Sequence, residues 1–285
     1  MTAVQVEQVT EPLAYHAEGP VWCEAWGGLR WLDMLAGDIL SLARDQTVAR
    51  RHVDTVVAAV RPRRGGGAVI GVERGFALED TNGTVTVVVS LWSDGRVRMN
   101  EGGCDPDGRF YCGSMAYDGR EGAGSLYRLD PDGSTTTVLD AVTVSNGLEW
   151  SPEGDRAYYA DTATGRVDVF DYGRGTGLSG RRPFAAVPEG FGGPDGLTVD
   201  AEGGVWVALY GGSAVRRYAP DGTLDEVVEL PVTKVTACAF GGPGLDRLFI
   251  TTSREHLEPG VEPEAGALFA CVPGVRGVPV REFAG

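Results

Sequence analysis

A repeated pattern of a polar residue, a glycine and a strand constrains the fold of this chain more than any other feature. In four segments, a side chain with an oxygen atom is followed by a glycine eight positions later and then by a strand-length apolar run. The four pairs are Asn100 and Gly108, Asn146 and Gly154, Asp195 and Gly203, and Thr236 and Gly244. A looser copy begins at Glu18 and reaches Gly27. Because the copies recur roughly every 40–50 residues, they indicate the blades of a β-propeller.

The remaining strand-length runs extend this pattern over the whole chain. They fall into six groups, near residues 18–48, 55–90, 97–137, 143–187, 193–230 and 233–283. Several runs are separated by motifs of the type Asp-Pro-Asp-Gly. These motifs favour a tight turn, because proline presets φ at the second position and glycine accepts φ > 0 at the last. The sequence therefore predicts an all-β fold: a six-bladed β-propeller with four-stranded antiparallel blades around a central channel, in a single domain over residues 1–285.

A ring of blades has to close, and it brings equivalent residues together. Residues 4–9 alternate apolar and polar side chains before the first blade, which predicts an outer strand that completes the last blade.

Residues at one phase of the repeat converge on one region of the ring. If that region is the axis, Glu18, Asn100, Asn146 and Asp195 meet there, and their oxygen atoms suit a hard divalent cation.

Charge restricts the partners of the protein. The formal net charge is −15, with 25 basic and 40 acidic side chains. Nucleic acids and anionic membranes bind basic surfaces, so we expect neither as a partner. A neutral small-molecule substrate and a divalent cation remain compatible with this charge. The sequence leaves the oligomeric state open.

Cysteine usage and the absence of targeting signals indicate a cytoplasmic protein. The five cysteines are odd in number and form no Cys-x-x-Cys pair, which favours buried thiols over a disulfide framework or a zinc site. The first eleven residues have neither the basic start nor the apolar run of a signal peptide. No run approaches the roughly 18–20 apolar residues of a membrane-spanning helix.

Several motifs lie in these segments in a fixed order. They are EGPVW at 18–22, RMN at 98–100 with DPDGR at 105–109, SNGL at 145–148 with YADT at 159–162, GPDGL at 193–197, and LFITT at 248–252. A single motif of this kind would not identify a family. The ordered set resembles the gluconolactonase/regucalcin (senescence marker protein) family of six-bladed propellers, and the resemblance covers nearly the whole chain.

The resemblance implies a metal site and a catalytic base. Glu18, Asn146 and Asp195 would bind one divalent metal ion, and Asp195 would also serve as the general base. Arg98 and Asn100 would contact the substrate, with Asn100 near the metal. Calcium is the natural candidate for oxygen ligands, while zinc, magnesium, manganese and iron remain possible.

Two segments bear on the substrate. Residues 15–17 (YHA) place bulk where many members of the family have Leu-Gly, and we expect His16 to pack behind the site rather than to bind the metal. Residues 116–123 correspond to a lid-like loop that varies in the family, and Glu121 in this loop is a further candidate substrate contact. Asp161 follows a strand, and we expect it to orient loop backbone near the site.

These observations favour a divalent-metal-dependent hydrolase that opens a sugar lactone by metal-activated water. Three protein oxygens leave coordination positions for water and substrate, so the reaction needs no covalent nucleophile. Two alternatives stay open: a related metal-dependent esterase, organophosphate or aryl-lactone hydrolase on the same site, and a non-enzymatic calcium-binding propeller. Arg98 beside the ligands disfavours the last. The sequence does not identify the lactone.

Overall fold

The structure, a computed structural model, describes residues 4–43 and 45–285 and contains six four-stranded sheets. Neighbouring strands in each sheet are antiparallel. Within these residues, the helical segments are three 3₁₀ turns: Glu24–Trp26, Met34–Ala36 and Thr162–Thr164. No helix of the described residues is long and apolar enough to span a membrane. The predicted six-bladed propeller is confirmed.

The strands follow chain order around the ring, and we number the blades one to six accordingly. Strand β1 (Val6–Gln8) precedes the first blade. The blades then comprise β2–β5 (Ala17–Cys23, Gly28–Asp33, Asp38–Leu42, Val48–His52), β6–β9 (Val57–Pro62, Ala68–Val72, Gly75–Glu79, Val85–Ser90), β10–β13 (Val97–Cys104, Phe110–Ala116, Gly124–Leu129, Thr135–Val142), β14–β17 (Ser145–Trp150, Arg156–Asp161, Arg166–Gly173, Gly177–Ala186), β18–β21 (Gly193–Val199, Val205–Tyr210, Ala214–Tyr218, Leu224–Glu229) and β22–β24 (Val235–Gly241, Arg247–Thr252, Leu268–Cys271).

The first strand closes the ring. Strand β1 pairs antiparallel with β24, with Val6 opposite Cys271 and Gln8 opposite Phe269. The sixth blade therefore combines one strand from the beginning of the chain with three from its end. The closing strand expected within residues 4–9 is confirmed. This pairing covers the outer edge of β24, which would otherwise expose unpaired backbone groups.

Every inner strand carries a β-bulge. Strands β2, β6, β10, β14, β18 and β22 begin their blades and pack side by side around the axis. Each has one extra residue relative to the strand paired with it. In blade five, for example, Pro194 and Leu197 pair with Leu209 and Val207. Such bulges bend the strand and redirect a side chain, and here they coincide with the repeated polar residue of the sequence.

The second blade contains a copy of the repeat in which the polar residue is replaced by alanine. Its bulge falls at Ala58, between Val57 and Ala59, and Gly66 follows eight positions later in a turn with φ of 88°. The backbone pattern is therefore the same as in the other blades. The sequence pattern missed this copy because alanine has no oxygen atom in its side chain.

The blades pack face to face through apolar side chains. Between blades five and six, the rings of Trp206 and Phe240 lie 5.8 Å apart in an edge-to-face arrangement, a geometry that favours aromatic pairs beyond the area they bury. All five cysteines are free thiols and buried, as the sequence predicts. These interfaces hold the inner strands in a fixed ring.

The C-terminal segment crosses the end of the axis opposite to the bulged ends of the strands. The last strand ends at Cys271, so the sixth group of the sequence pattern, near 233–283, extends beyond its blade. Further along, the amide of Phe283 donates to the carbonyl of Pro62 at 2.8 Å, and the Phe283 ring is buried. The segment covers a small cavity of about 50 Å³ that Arg61 and Glu101 also line.

Candidate active site

A cavity of about 240 Å³ lies near the beginning of the inner strands and contains most of the predicted site residues. Glu18, Arg98, Asn100, Asn146 and Asp195 line it. They belong to blades one, three, four and five, and each is at most 6% exposed. The fold therefore brings together all three predicted ligands and two of the three predicted substrate contacts.

Two glycines allow the inner strands to approach one another at this point. A Cβ atom on Gly147 would lie 2.7 Å from the backbone nitrogen of Leu197 and 2.8 Å from the carbonyl oxygen of Asp195. A Cβ atom on Gly196 would lie 2.5 Å from the Cβ of Ala237. Any other residue would push the neighbouring blades apart. Each glycine therefore has a packing role next to a predicted ligand, beyond the turn-forming role of Asn-Gly and Asp-Gly pairs.

A chain of hydrogen bonds orients the two asparagine amides. Arg98 Nη1 donates to Asn100 Oδ1 at 2.5 Å, and Asn100 Nδ2 donates to Asn146 Oδ1 at 2.8 Å. Asn146 Nδ2 donates in turn to Thr162 Oγ1 at 2.7 Å, whose hydroxyl donates to the Pro194 carbonyl at 2.8 Å. Because Thr162 uses its proton on a carbonyl, it can only accept from the amide. The amide oxygen of Asn146 is thereby directed away from Thr162.

Glu18 and Asp195 form a pair of buried carboxylates. Burial raises the pKa of Asp195 well above its ordinary value, and the charge of Glu18 raises it further. Burial and then the charge of Glu101 raise the pKa of Glu18 in the same way. Asp195 Oδ1 is completely buried and has no hydrogen-bond partner within the described residues. A cation at this position would satisfy that oxygen and offset the repulsion between the carboxylates.

The residues present fit a divalent cation with oxygen ligands. Two carboxylates and the amide oxygen of Asn146 are hard donors of the kind that calcium and magnesium prefer. The described part of the chain has no group of three or more His, Cys, Asp or Glu side chains arranged to hold a metal. The third donor would therefore be an amide, which distinguishes this set from zinc sites built of histidine and cysteine. Ligation by Glu18, Asn146 and Asp195 stays a prediction.

Arg98 places a fixed positive charge on the wall of the cavity. Its Nη1 atom also donates to the Met99 carbonyl at 3.0 Å and to Met34 Sδ at 3.2 Å. Its guanidinium lies 5.8 Å from the ring centre of Tyr117. Burial lowers the pKa of Arg98 below its ordinary value, yet an arginine side chain remains protonated in proteins. A planar guanidinium that hydrogen bonds keep in one orientation is suited to the recognition of hydroxyl groups or an oxyanion.

His16 lines the cavity beside Glu18. Its Nδ1 atom is 2.8 Å from Ser253 Oγ, and its Nε2 atom is 3.8 Å from Glu18 Oε1. Burial, followed by the charge of Arg98, lowers the pKa of His16 to about 3. The imidazole is therefore neutral near pH 7 and lies beside Glu18. The structure thus places His16 on the cavity wall rather than behind the site, and its not binding the metal stays a prediction.

Asp161 orients loop backbone beside the site, as the sequence predicts. Its carboxylate accepts hydrogen bonds from the amides of Thr143, at 3.1 Å, and Val144, at 2.9 Å. Val144 itself lines the cavity. Glu121, in contrast, is exposed in the turn after β11 and does not belong to the residues that line the cavity. Its contact with substrate stays a prediction.

The sequence interpretation missed three polar residues that line the cavity. Thr162 follows β15, Tyr210 ends β19, and Glu255 follows β23. None of them occupies the repeated phase, because they lie at the ends of strands and in the connections rather than at the inner bulges. The motif YADT includes Thr162 and gave a signal for it. Nothing in the repeat indicated Tyr210 or Glu255.

The carboxylate pair predicts how the stability of the metal-free protein depends on pH. Because the pKa values of Glu18 and Asp195 are raised in the folded protein, the folded state binds protons more readily than the unfolded chain does. The stabilisation is complete below the ordinary carboxyl pKa of about 4 and is lost as pH rises through the folded values. We therefore expect the Tm of chelator-treated protein to fall from pH 5 to pH 8, and calcium to reduce this fall. An equal fall in Tm with and without calcium would contradict the prediction that Glu18 and Asp195 bind the cation.

Comparisons with known proteins give the family of this chain. The SMP-30/Gluconolactonase/LRE-like region matches residues 16–254. Regucalcin from Sus scrofa is 36% identical, with all of both chains covered. The crystal structure of regucalcin from Agrobacterium tumefaciens, a calcium-binding protein, has a TM-score of 0.93 at 28% identity, covering 99% of this chain and 98% of that one. A gluconolactonase from Xanthomonas campestris has a TM-score of 0.77 at 25% identity, covering 94% and 89%. This chain belongs to the SMP-30/gluconolactonase/LRE-like family, as its ordered motifs predict.

Proposed function

We propose that this protein is a divalent-metal-dependent hydrolase that opens a sugar lactone. The observation that carries the proposal is the meeting of two buried carboxylates, an oriented amide and a fixed guanidinium in one cavity. A purely structural cation site would need the three oxygen donors but no arginine beside them. The gluconolactonase among the structural relatives supports the same reaction class.

The proposed metal would be held by Glu18, Asn146 and Asp195. When bound, a divalent cation supplies Lewis-acid polarisation of an ester carbonyl and makes a water molecule more acidic. Calcium is the favoured ion because all three donors are oxygens, and because the Agrobacterium tumefaciens relative is a calcium-binding protein. Magnesium, manganese, zinc and iron remain candidates, since availability also decides which metal is bound.

The side chains of this site have distinct roles in the proposed reaction. Asp195 takes a proton from the attacking water, whose oxygen bonds to the carbonyl carbon of the lactone. The ring carbon–oxygen bond then breaks, and the leaving ring oxygen receives a proton, so the product is the open-chain hydroxy acid. Arg98 donates hydrogen bonds to substrate hydroxyls or to the developing oxyanion. Asn100 holds both Arg98 and Asn146 in place through its amide.

A panel of lactones and esters in a pH-stat tests this proposal. We expect hydrolysis of a sugar lactone such as glucono-δ-lactone to exceed the spontaneous rate, to be lost after treatment with a chelator, and to return with an added divalent cation. Full activity after verified metal removal would contradict the metal dependence. Preference for an aryl ester or an organophosphate would support the alternative hydrolase. Cation binding without any hydrolysis would support a non-enzymatic calcium-binding propeller.

A further inference from the structure

A carboxylate that the proposed chemistry does not use lies in the same cavity. Glu255 follows β23 in blade six and lines the cavity together with the predicted ligands. Its side chain is 20% exposed, so it borders the space that a substrate would enter. Asp195 and Glu18 account for the ligand and base roles. The position of Glu255 therefore calls for a separate explanation.

The surrounding residues hold Glu255 in one place. Its amide donates to Ser253 Oγ at 3.0 Å, and Lys234 Nζ donates to its carbonyl oxygen. Tyr210 OH donates to Glu255 Oε2 at 3.4 Å. The ammonium of Lys234 also lies 5.4 Å from the ring centre of Tyr210, which keeps these two side chains together. Contacts with both backbone and carboxylate thus fix a side chain that could otherwise move freely.

No lysine or arginine of the described residues lies within ion-pair distance of the Glu255 carboxylate. The nearest nitrogen atoms of His16 and His256 both lie 3.5 Å from its oxygens. The Nδ1 atom of His16 already has a closer partner in Ser253 Oγ, at 2.8 Å, and His256 is largely exposed to solvent. Lys234 contacts the backbone rather than the carboxylate. The oxygens of Glu255 are thus available to accept hydrogen bonds from a ligand.

The ring geometry places Glu255 across the cavity from Arg98. Glu255 belongs to blade six and Arg98 to blade three, so the two residues lie three blades apart in a ring of six. One wall therefore offers a side chain that only donates hydrogen bonds, and the opposite wall offers one that only accepts them. A ring with several hydroxyl groups matches both walls, because each hydroxyl can donate and accept.

We propose that Glu255 is a specificity-determining residue that accepts hydrogen bonds from substrate hydroxyls and selects polyhydroxylated lactones over lactones without hydroxyl groups. This inference rests on the proposed lactone hydrolysis. A substrate without hydroxyls would cover the carboxylate of Glu255 and leave it only the long hydrogen bond from Tyr210, and a buried acceptor without its full set of partners is costly. Sites that bond a substrate hydroxyl reject analogues that lack it far more strongly than apolar pockets reject an added group.

Substitution of Glu255 by glutamine tests the proposal with two substrates. Glu255→Gln keeps the size of the side chain but weakens its acceptor strength, and its matched control is Glu258→Gln, on the exposed part of the same segment. We expect kcat/KM for glucono-δ-lactone to fall about 10–100-fold, the effect of losing a hydrogen bond to a charged group. The fall for δ-valerolactone, which has no hydroxyl group, should be much smaller. The control should change neither value.

A binding measurement separates this inference from the proposed reaction. We expect 1,5-anhydro-D-glucitol, a hydroxylated ring without an ester, to bind the Glu255→Gln variant at least about tenfold more weakly than the wild type in calorimetry. This result does not require turnover, so it tests Glu255 even if the wild type hydrolyses no lactone. Equal binding to both proteins would overturn the inference, as would equal losses for the two lactones at unchanged Tm. If Glu255→Gln does not fold, Glu255→Asp takes its place, with the same expected loss of selectivity.

Discussion

The variant Asp195→Asn is expected to hydrolyse the preferred lactone at least about 100-fold more slowly than the wild type when both are saturated with the same divalent cation. A positioned general base typically contributes 10²–10⁴-fold to the rate. Asparagine keeps the shape of the side chain and one oxygen for the metal, but it cannot take a proton. The loss should therefore appear in kcat even after excess cation restores occupancy.

The surroundings of Asp195 favour it as the general base over its neighbours His16 and Glu18. Its Oδ1 atom is buried and has no protein partner within the described residues. His16 is held by Ser253, and its lowered pKa makes it a weak base. Glu18 already accepts from the amide of Gly19 through Oε2 at 3.0 Å. Asp195 thus combines a carboxylate oxygen without a protein partner and a place on the cavity wall.

The matched control for this variant is Asp132→Asn. Asp132 lies in the exposed turn between β12 and β13 and accepts a hydrogen bond from Ser134, far along the chain from the predicted ligands. Its substitution should leave kcat and metal content unchanged. If Asp195→Asn, fully metallated, turned over at the wild-type rate, the assignment of the general base would be wrong. Water would then be activated without this carboxylate.

The inner strands were the most predictable part of the molecule. Their polar residues recur at one phase because each strand carries the same bulge, and the bulge is a property of the repeat rather than of one residue. The alternation in residues 4–9 likewise predicted the closing strand, since only one face of β1 packs against the core. Ala58 shows the limit of this reasoning: the backbone feature is present, but the side chain gives no chemical signal.

The connections between strands were less predictable. Glu255 and Tyr210 reach the cavity from strand ends, where neither periodicity nor repeat phase constrains the direction of a side chain. Their positions depend on contacts between residues distant in sequence, such as that of His16 with Ser253. The C-terminal segment after Cys271 shows the same limit, because it packs against residues from other blades rather than continuing its own. The family resemblance supplied roles at the bulges but no role for these residues.

The variant Glu18→Gln is expected to change cation affinity and metal-free stability in opposite directions. It preserves the size of a buried side chain and removes one of two neighbouring negative charges. Ligand charge is a main determinant of calcium affinity, so we expect the dissociation constant for calcium to rise at least about tenfold in calorimetry. The Tm of chelator-treated protein should rise at pH 8, because Asp195 then ionises without a like charge beside it. The Tm increase that calcium produces should shrink accordingly.

These two readouts together distinguish a ligand from a residue that merely packs in the core. Loss of a packing contact would lower the Tm of the metal-free protein, whereas relief of repulsion raises it. The control Glu24→Gln removes a charge from the exposed 3₁₀ turn that follows β2, and it should change neither readout by much, since exposed charges contribute little. Wild-type calcium affinity in Glu18→Gln would exclude this carboxylate as a ligand. The cation would then have to be held by Asp195 and the Asn146 amide, a donor set with one charge too few for tight binding of a divalent ion.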